Sequence, residues 1–410
     1  MCDNRHYISE VPLSLNSVRK RVEAFLSSNG LRLAALERYV VISRDEDGDE
    51  IIAGGGLDGN VIKCVAVSEA ARSEGLMNIL VSRLIAIAHE EGHDSVKAFT
   101  KPANKDIFKS LGFELIASSN NAILMENGRG GLPEYRKYLE SLARPGRNGA
   151  IVMNANPFTK GHRYLIEQAA SQVDNLYVIV VKEDRSRFPY VERKAMIEAG
   201  CSGLDNVIVC EGSDYAVSAA TFPTYFLKQL DDATPTHIAL DLDLFVKHIA
   251  RPLGVTVRFA GSEPEDNLTH CYNEMMSEIL PAGGYNATSQ ENGIKFVEIP
   301  RLEQNGRPVS ATSLRKALDR GDLKAAMEFV PVSTVPYLIA DLAERSLRLE
   351  LDTTPKPGLV DKQDNGSHKD MDYALMSASI SALRPYLTKI AVGPSAPPMM
   401  TTPAGWCQCC

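Results

Sequence analysis

The chain has 410 residues, 44% hydrophobic and 23% charged, the proportions of a folded protein with room for two domains and part of a third. Its 44 Lys and Arg stand against 52 Asp and Glu, a net charge of -8 that repels nucleic-acid backbones, and no run of about 18 apolar residues is present to span a membrane. Met1 to Pro12 carries charge without the apolar centre of a signal peptide, so a cytoplasmic location is expected.

The first signal along the chain is a β-hairpin: Tyr39-Val-Val-Ile-Ser43, a turn rich in Asp and Gly, then Ile51-Ile-Ala-Gly-Gly-Gly-Leu57. Asp45, Asp47 and Asp49 lie in the turn, but the glycine is misplaced for a calcium loop and no Glu closes it, so a solvated turn is expected. A strand over Val61 to Val67 precedes a helix with Ile79, Leu80, Leu84, Ile87 and Ala88 on one side. His89-Glu-Glu-Gly-His93 has the letters of a helical zinc pair, yet Gly92 should end the helix and leave His93 outside it. A strand over Val96 to Phe99 and a short helix over Ile107 to Leu111 follow. Five cysteines are scattered and read as reduced thiols; Cys407, Cys409 and Cys410 crowd the end without a histidine to complete a zinc site.

Arg144-Pro-Gly-Arg-Asn-Gly149 is dense in turn formers and marks a domain boundary. Beyond it strands over Ala150 to Met153, Leu176 to Val181 and Val207 to Cys210 alternate with helices over Gly161 to Val173 and Val191 to Ala199. His237 to Leu240, Thr256 to Phe259 and Lys295 to Ile299 read as further short strands. That rhythm gives βαβ units, a parallel sheet and an α/β fold class.

In such sheets, helix starts beyond the strand ends aim backbone N–H groups at anions. Asn156-Pro-Phe-Thr159-Lys-Gly161-His162 follows the first strand of this region, with Thr159 placed to cap or contact, Gly161 allowing close approach and His162 in the first helical turn. It reads equally as a Thr-capped helix with an exposed His. Ser310-Ala-Thr312-Ser313-Leu-Arg315 opens a second helix, with hydroxyls for capping and a guanidinium fork suited to phosphate. Alone it would be a capped helix with a surface Arg; two such starts on one parallel-sheet domain favour a phosphate site.

Thr159-x-Gly-His162 and Ser310-Ala-Thr-Ser-Leu-Arg315 resemble the signatures of cytidylyltransferase-like nucleotidyltransferases. The longer stretches Asn154 to Glu167, Arg187-Phe-Pro-Tyr-Val-Glu-Arg193 and Glu298-Ile-Pro-Arg-Leu-Glu303 resemble the citrate lyase ligase family over about the first 335 residues. The resemblance implies that acetate attacks the α-phosphorus of ATP and that the prosthetic thiol of the citrate lyase acyl carrier subunit, on its dephospho-CoA-derived arm, then takes the acetyl group. It implies His162 and Thr159 at the α and β phosphates, Arg315 with Ser310 and Thr312 at the β and γ phosphates, and a bridging Mg2+. Asn156, Pro157, Phe158, Gly161 and Ser313 complete the expected ATP site, with Lys182 and Arg193 as further anion contacts. Many relatives carry a His where this chain has Thr159.

Val65 to Met77 resembles the phosphate loop of GNAT acetyltransferases, with Arg72 and Gly75 in place and Met77 where that loop has a small residue. The implied fold is an N-terminal GNAT-like α+β domain over 1–143, then a Rossmann-like nucleotidyltransferase domain with a parallel sheet over 150–335. The N-terminal domain is expected to receive the CoA-like arm through Arg72 and Gly75; the alternative is a GNAT-type acetyltransferase using acetyl-CoA beside a degenerate nucleotide module. Thr353 to Asp361 and Asn365 to Asp372 resemble the start of triphosphoribosyl-dephospho-CoA synthase, so 336–390 reads as a short helical fragment without synthase activity of its own. Residues 391–410 lack periodicity and are expected to form a disordered tail, truncated or frame-shifted.

Overall fold

The computed structural model describes residues 6–353 apart from 47–49, 129, 183–185, 217–233, 264–265, 285–292 and 305. The chain divides into two compact units. One is Met1–Met153, Ala169–Arg185 and Asn206–Pro300; the other is Asn154–Gln168, Ser186–Asp205 and the chain from Arg301 onward.

The first unit is α/β and holds both large sheets. A seven-stranded sheet comprises β1 (Tyr7–Glu10), β2 (Arg38–Ser43), β3 (Ile51–Asp58), β4 (Val61–Val67), β5 (Ser95–Thr100), β6 (Glu114–Ser118) and β7 (Ile123–Gly128), ordered β1-β2-β3-β4-β5-β7-β6. Its one parallel pair is β4 with β5, joined only at Val61↔Lys97 and Ile62↔Ala98. Helix α1 is Asn16–Ser28, and α2 (Leu76–Glu90) covers β3 with a buried stripe of Leu76, Leu80, Val81, Leu84, Ile87 and Ala88. Ile79, expected on that stripe, is 42% exposed, because it lies about 100° around the helix from Leu80. Gly92, at φ 88°, ends α2 by a Schellman arrangement in which His93 N–H bonds Ala88 and Gly92 N–H bonds His89. Helices α3 (Lys105–Ser110) and α4 (Leu132–Leu142) complete this region.

The second sheet is wholly parallel: β8 (Asn148–Met153), β9 (Asn175–Val180), β10 (Val207–Cys210), β11 (Val255–Gly261) and β12 (Lys295–Ile299), ordered β10-β9-β8-β11-β12. Every residue of β9 is buried, as a strand covered on both faces requires. The chain winds outward from β8 in one direction and then in the other, so β8 leaves the sheet at a topological switch point.

His237 to Leu240, expected as a strand, belongs instead to a helix, α7 (Thr234–Leu244). Its apolar residues are buried on all sides, and a fully buried helix has no periodicity to separate it from a buried strand. This helix, α4 and α8 (Asn267–Ile279) share one core with β6, β7, β8 and β9 through residues such as Ile116, Leu124, Leu139, Ala150, Ile179, Leu242 and Met276. Asp243 ties α7 to β6 by accepting the Ser118 N–H at 2.9 Å.

The second unit contains α5 (Lys160–Ala170) through Gln168, α6 (Tyr190–Gly200), α9 (Ala311–Asp319), α10 (Leu323–Met327) and α11 (Val335–Thr353). A two-stranded hairpin of Glu303–Gln304 and Arg307–Pro308 precedes α9. Of the C-terminal fragment expected over 336–390, the described part is helical to Thr353; the rest, with the tail 391–410, lies outside the described residues. No described helix is long and apolar enough to cross a membrane.

Candidate active site

Most of the residues singled out from the sequence lie in the second unit, starting at the residue after β8. Asn154 to Phe158 form a bent connection in which Ala155 takes φ 48°, a conformation that costs a non-glycine residue about 1 kcal/mol and is kept where surroundings over-determine it. The surroundings are polar. The Asn156 carbonyl accepts Arg315 Nη1 at 2.6 Å, and its Oδ1 accepts the Phe188 N–H at 3.1 Å. Pro157 and Phe158 are buried, and the Phe158 ring lies against Gly200 of α6, where any Cβ would collide with it.

Thr159 caps α5: its carbonyl accepts the Arg163 N–H at 3.1 Å and its Oγ1 accepts the His162 N–H at 3.3 Å. His162 reciprocates. Its Nδ1 accepts the Thr159 N–H at 3.0 Å and sits 2.9 Å from Thr159 Oγ1, a capping box in which imidazole replaces the usual Glu or Gln. Since Nδ1 is an acceptor, the neutral ring carries its proton on Nε2, on the opposite edge. Burial, then the charges of Arg301 and Arg315, push the His162 pKa down from 6.5 to about 4. At neutral pH it is an uncharged N–H donor, held by stacking on Phe158 with centroids 5.8 Å apart.

Ser310 caps α9, its Oγ accepting the N–H groups of Thr312 and Ser313 at 3.2 and 3.4 Å. Thr312 and Ser313 are exposed; Arg315 is half-buried and its Nη2 donates to Thr312 Oγ1 at 3.1 Å. The two helix starts are close neighbours. A Cβ on Gly161 would lie 3.3 Å from the Val309 carbonyl oxygen, so a side chain at 161 would crowd the link between the hairpin and α9. Lys160 fixes the same end of α5 by giving its N–H to the Phe329 carbonyl at 2.8 Å.

The structure thus brings together Asn156, Pro157, Phe158, Thr159, Gly161, His162, Ser310, Thr312, Ser313 and Arg315. Arg193, expected as an anion contact, is fully buried, with Nε donating to the Phe188 carbonyl at 3.0 Å and Nη1 to the Asn154 carbonyl at 2.9 Å. Its fork shapes the connection from inside. Lys182 is exposed and belongs to the first unit, as do Arg72, 66% exposed and 3.9 Å from Glu69, and Gly75, which starts α2 at φ 71°. Arg301, quoted in the sequence only within a longer match, acts on His162 more strongly than Arg315 does. Its signal was position: it follows β12 by two residues, where a strand end hands the chain to the hairpin.

Two guanidinium groups, a neutral imidazole donor and two capped helix starts make a positive locus in a chain of net charge -8. It can hold a polyphosphate and steady charge developing on it. Among the described residues there is no group of three or more His, Cys, Asp or Glu that could hold a metal ion.

Residues 148–338 match the family model of the citrate lyase ligase C-terminal domain, and 336–399 match that of ATP:dephospho-CoA triphosphoribosyl transferase. The chain is 42% identical over 328 residues to the citrate (pro-3S)-lyase ligase of Klebsiella pneumoniae, covering 80% of this chain and 94% of that one. Over 50 residues it is 56% identical to a 2-(5''-triphosphoribosyl)-3'-dephosphocoenzyme-A synthase described as probable in Albidiferax ferrireducens, covering 12% of this chain and 17% of that one. A GNAT-family acetyltransferase structure from Staphylococcus aureus Mu50 aligns at 13% identity with a TM-score of 0.26, over 31% of this chain and all of that one.

Proposed function

The chain belongs to the citrate lyase ligase family, and from that premise we propose that it joins acetate to the prosthetic thiol of the citrate lyase acyl carrier subunit at the cost of ATP, so activating citrate lyase. The balanced reaction is ATP, acetate and the thiol form giving AMP, diphosphate and the acetyl form. An acetate oxygen bonds to the α-phosphorus as the bond to the bridging oxygen breaks and diphosphate leaves. The thiol sulfur then bonds to the acetyl carbon, AMP departs with the C–O electron pair, and the thiol proton is lost to solvent. Both steps need positioning and charge stabilisation from the protein and no covalent nucleophile of its own.

Each side chain has a physical task in this reading. His162 donates Nε2–H to an α-phosphate oxygen as negative charge grows there, and its neutral state lets it donate without a desolvated charge beforehand. Thr159 holds the ring in that tautomer. Arg315 and Arg301 face the β and γ phosphates, with Ser310, Thr312 and Ser313 presenting hydroxyls and the N–H groups of α9. Gly161 permits the close approach, while Asn156, Pro157 and Phe158 form the floor. Arg193 acts by shaping that floor, and Lys182 is kept as an anion contact on the family resemblance alone. When bound, Mg2+ supplies charge neutralisation on the phosphates.

Arg72 and Gly75 are assigned to the CoA-like arm, in a GNAT-like segment of 1–143 that precedes the ligase segment of 150–335; the reaction is placed in the cytoplasm. The observation carrying the proposal is the Arg315 bond to the Asn156 carbonyl, which joins two motifs 159 residues apart in sequence into one site. Incubation with ATP, acetate and deacetylated carrier should release AMP and form thioester in equal amounts. His162→Ala should lower kcat about 100-fold, as loss of one preorganised donor does. Thioester formed from acetyl-CoA without ATP would overturn the reading.

A further inference from the structure

Arg187 opens the stretch Arg187 to Arg193, and the phosphate chemistry above leaves it without a task. Its guanidinium nevertheless ties two helices of the second unit to its own segment. It grips Asp341 of α11 through two bonds, Nε to Oδ1 at 2.9 Å and Nη2 to Oδ2 at 2.5 Å, both side chains being 10% exposed. Nη1 reaches Asp319, the last residue of α9, at 2.8 Å, and Asp319 takes a second bond from Arg345 of α11 at 2.9 Å. The next residue, Phe188, donates its N–H to Asn156 Oδ1, and its carbonyl accepts the Arg193 Nε–H. The Asn156 carbonyl in turn receives Arg315.

One planar fork therefore sets the far end of α9, whose near end carries Ser310 and Arg315, and adjoins the bond that orients Asn156. A guanidinium fixes several directions at once; a lysine ammonium in its place would supply charge without that geometry. We propose that Arg187 is a positioning residue of the triphosphate site, holding Asn156 and the start of α9 at the separation the phosphates require, with Asp341 as its anchor; this rests on the reading of that site as the ATP site. Asp341 falls inside the stretch matching the triphosphoribosyl transferase model. The helix that opens that stretch is, in this protein, a working part of the ligase.

The test uses the full chain with Arg187→Lys, which keeps the charge and loses the fork, and Asp341→Asn, which keeps the shape and loses the charge. Calorimetric titration with ATP and initial rates of acetate-dependent pyrophosphate release are measured beside thermal melts. Each variant should raise the Kd and KM for ATP about tenfold, the scale of a sub-ångström misplacement, while KM for acetate stays within about twofold. The double variant should be little worse than either single one, because both remove the same bond. ATP affinity within about twofold of wild type in both variants overturns the inference, whatever happens to kcat. If Arg187→Lys fails to fold, the same criterion on Asp341→Asn decides. A wild-type chain that neither binds ATP nor releases pyrophosphate overturns the underlying reading as well, whereas an active wild type with unaltered variants overturns only this inference.

Discussion

His162 serves as cap and donor at once, and its protonation is coupled to both tasks. In the unfolded chain the ring titrates near its ordinary 6.5, and in the folded protein near 4, chiefly because burial disfavours the cation. Between those values the unfolded chain carries the extra proton, so acid favours unfolding. The contribution of this residue to stability is complete above pH 6.5 and is lost as pH falls toward 4. An NMR titration of the ring should find its pKa below about 5 in the free protein and raised by tripolyphosphate, because a bound anion favours imidazolium. An unshifted value near 6.5 would mean that the ring is solvated and uncapped.

At the scale of elements, the helix ends are where packing and binding can be separated. Ser310→Ala should cost about 1 kcal/mol of stability by removing the α9 cap. Ser310→Asp should keep the cap, since a carboxylate accepts the same N–H groups, yet raise KM for ATP severalfold by setting negative charge against phosphate. Melting curves and rates on the two variants distinguish the tasks. In α6, Gly200→Ala opposes two effects: alanine gains about 1 kcal/mol of helix propensity, but its Cβ would overlap the buried Phe158 ring, and overpacking costs about 1–3 kcal/mol. Overpacking should win, lowering the urea midpoint and loosening the floor beneath His162. The sequence disclosed the capped starts of α5 and α9 because a cap is written within four residues. It did not disclose α7, whose burial on every side erases periodicity, nor the fate of Arg193, whose charge is spent on carbonyls that only the folded chain brings to it.

Across the whole molecule, the parallel sheet was legible because short apolar runs alternated with amphipathic ones, and the hairpin because turn residues separated two β-rich segments. Arg301 and Asp341 were not, since one lies in an aperiodic link and the other on a helix whose polar face looks like any solvated surface until Arg187 meets it. Net negative charge excluded polyanions as partners of the chain at large while leaving room for a small basic locus built from a few side chains. The backbone passes between the two compact units five times, at residues 153, 168, 185, 205 and 300. Neither can therefore be excised as one uninterrupted piece. Shuffling or inserting sequence at any of those junctions would disturb both halves together, so inheritance of α5, α6 and α9 is bound to inheritance of the strands between them.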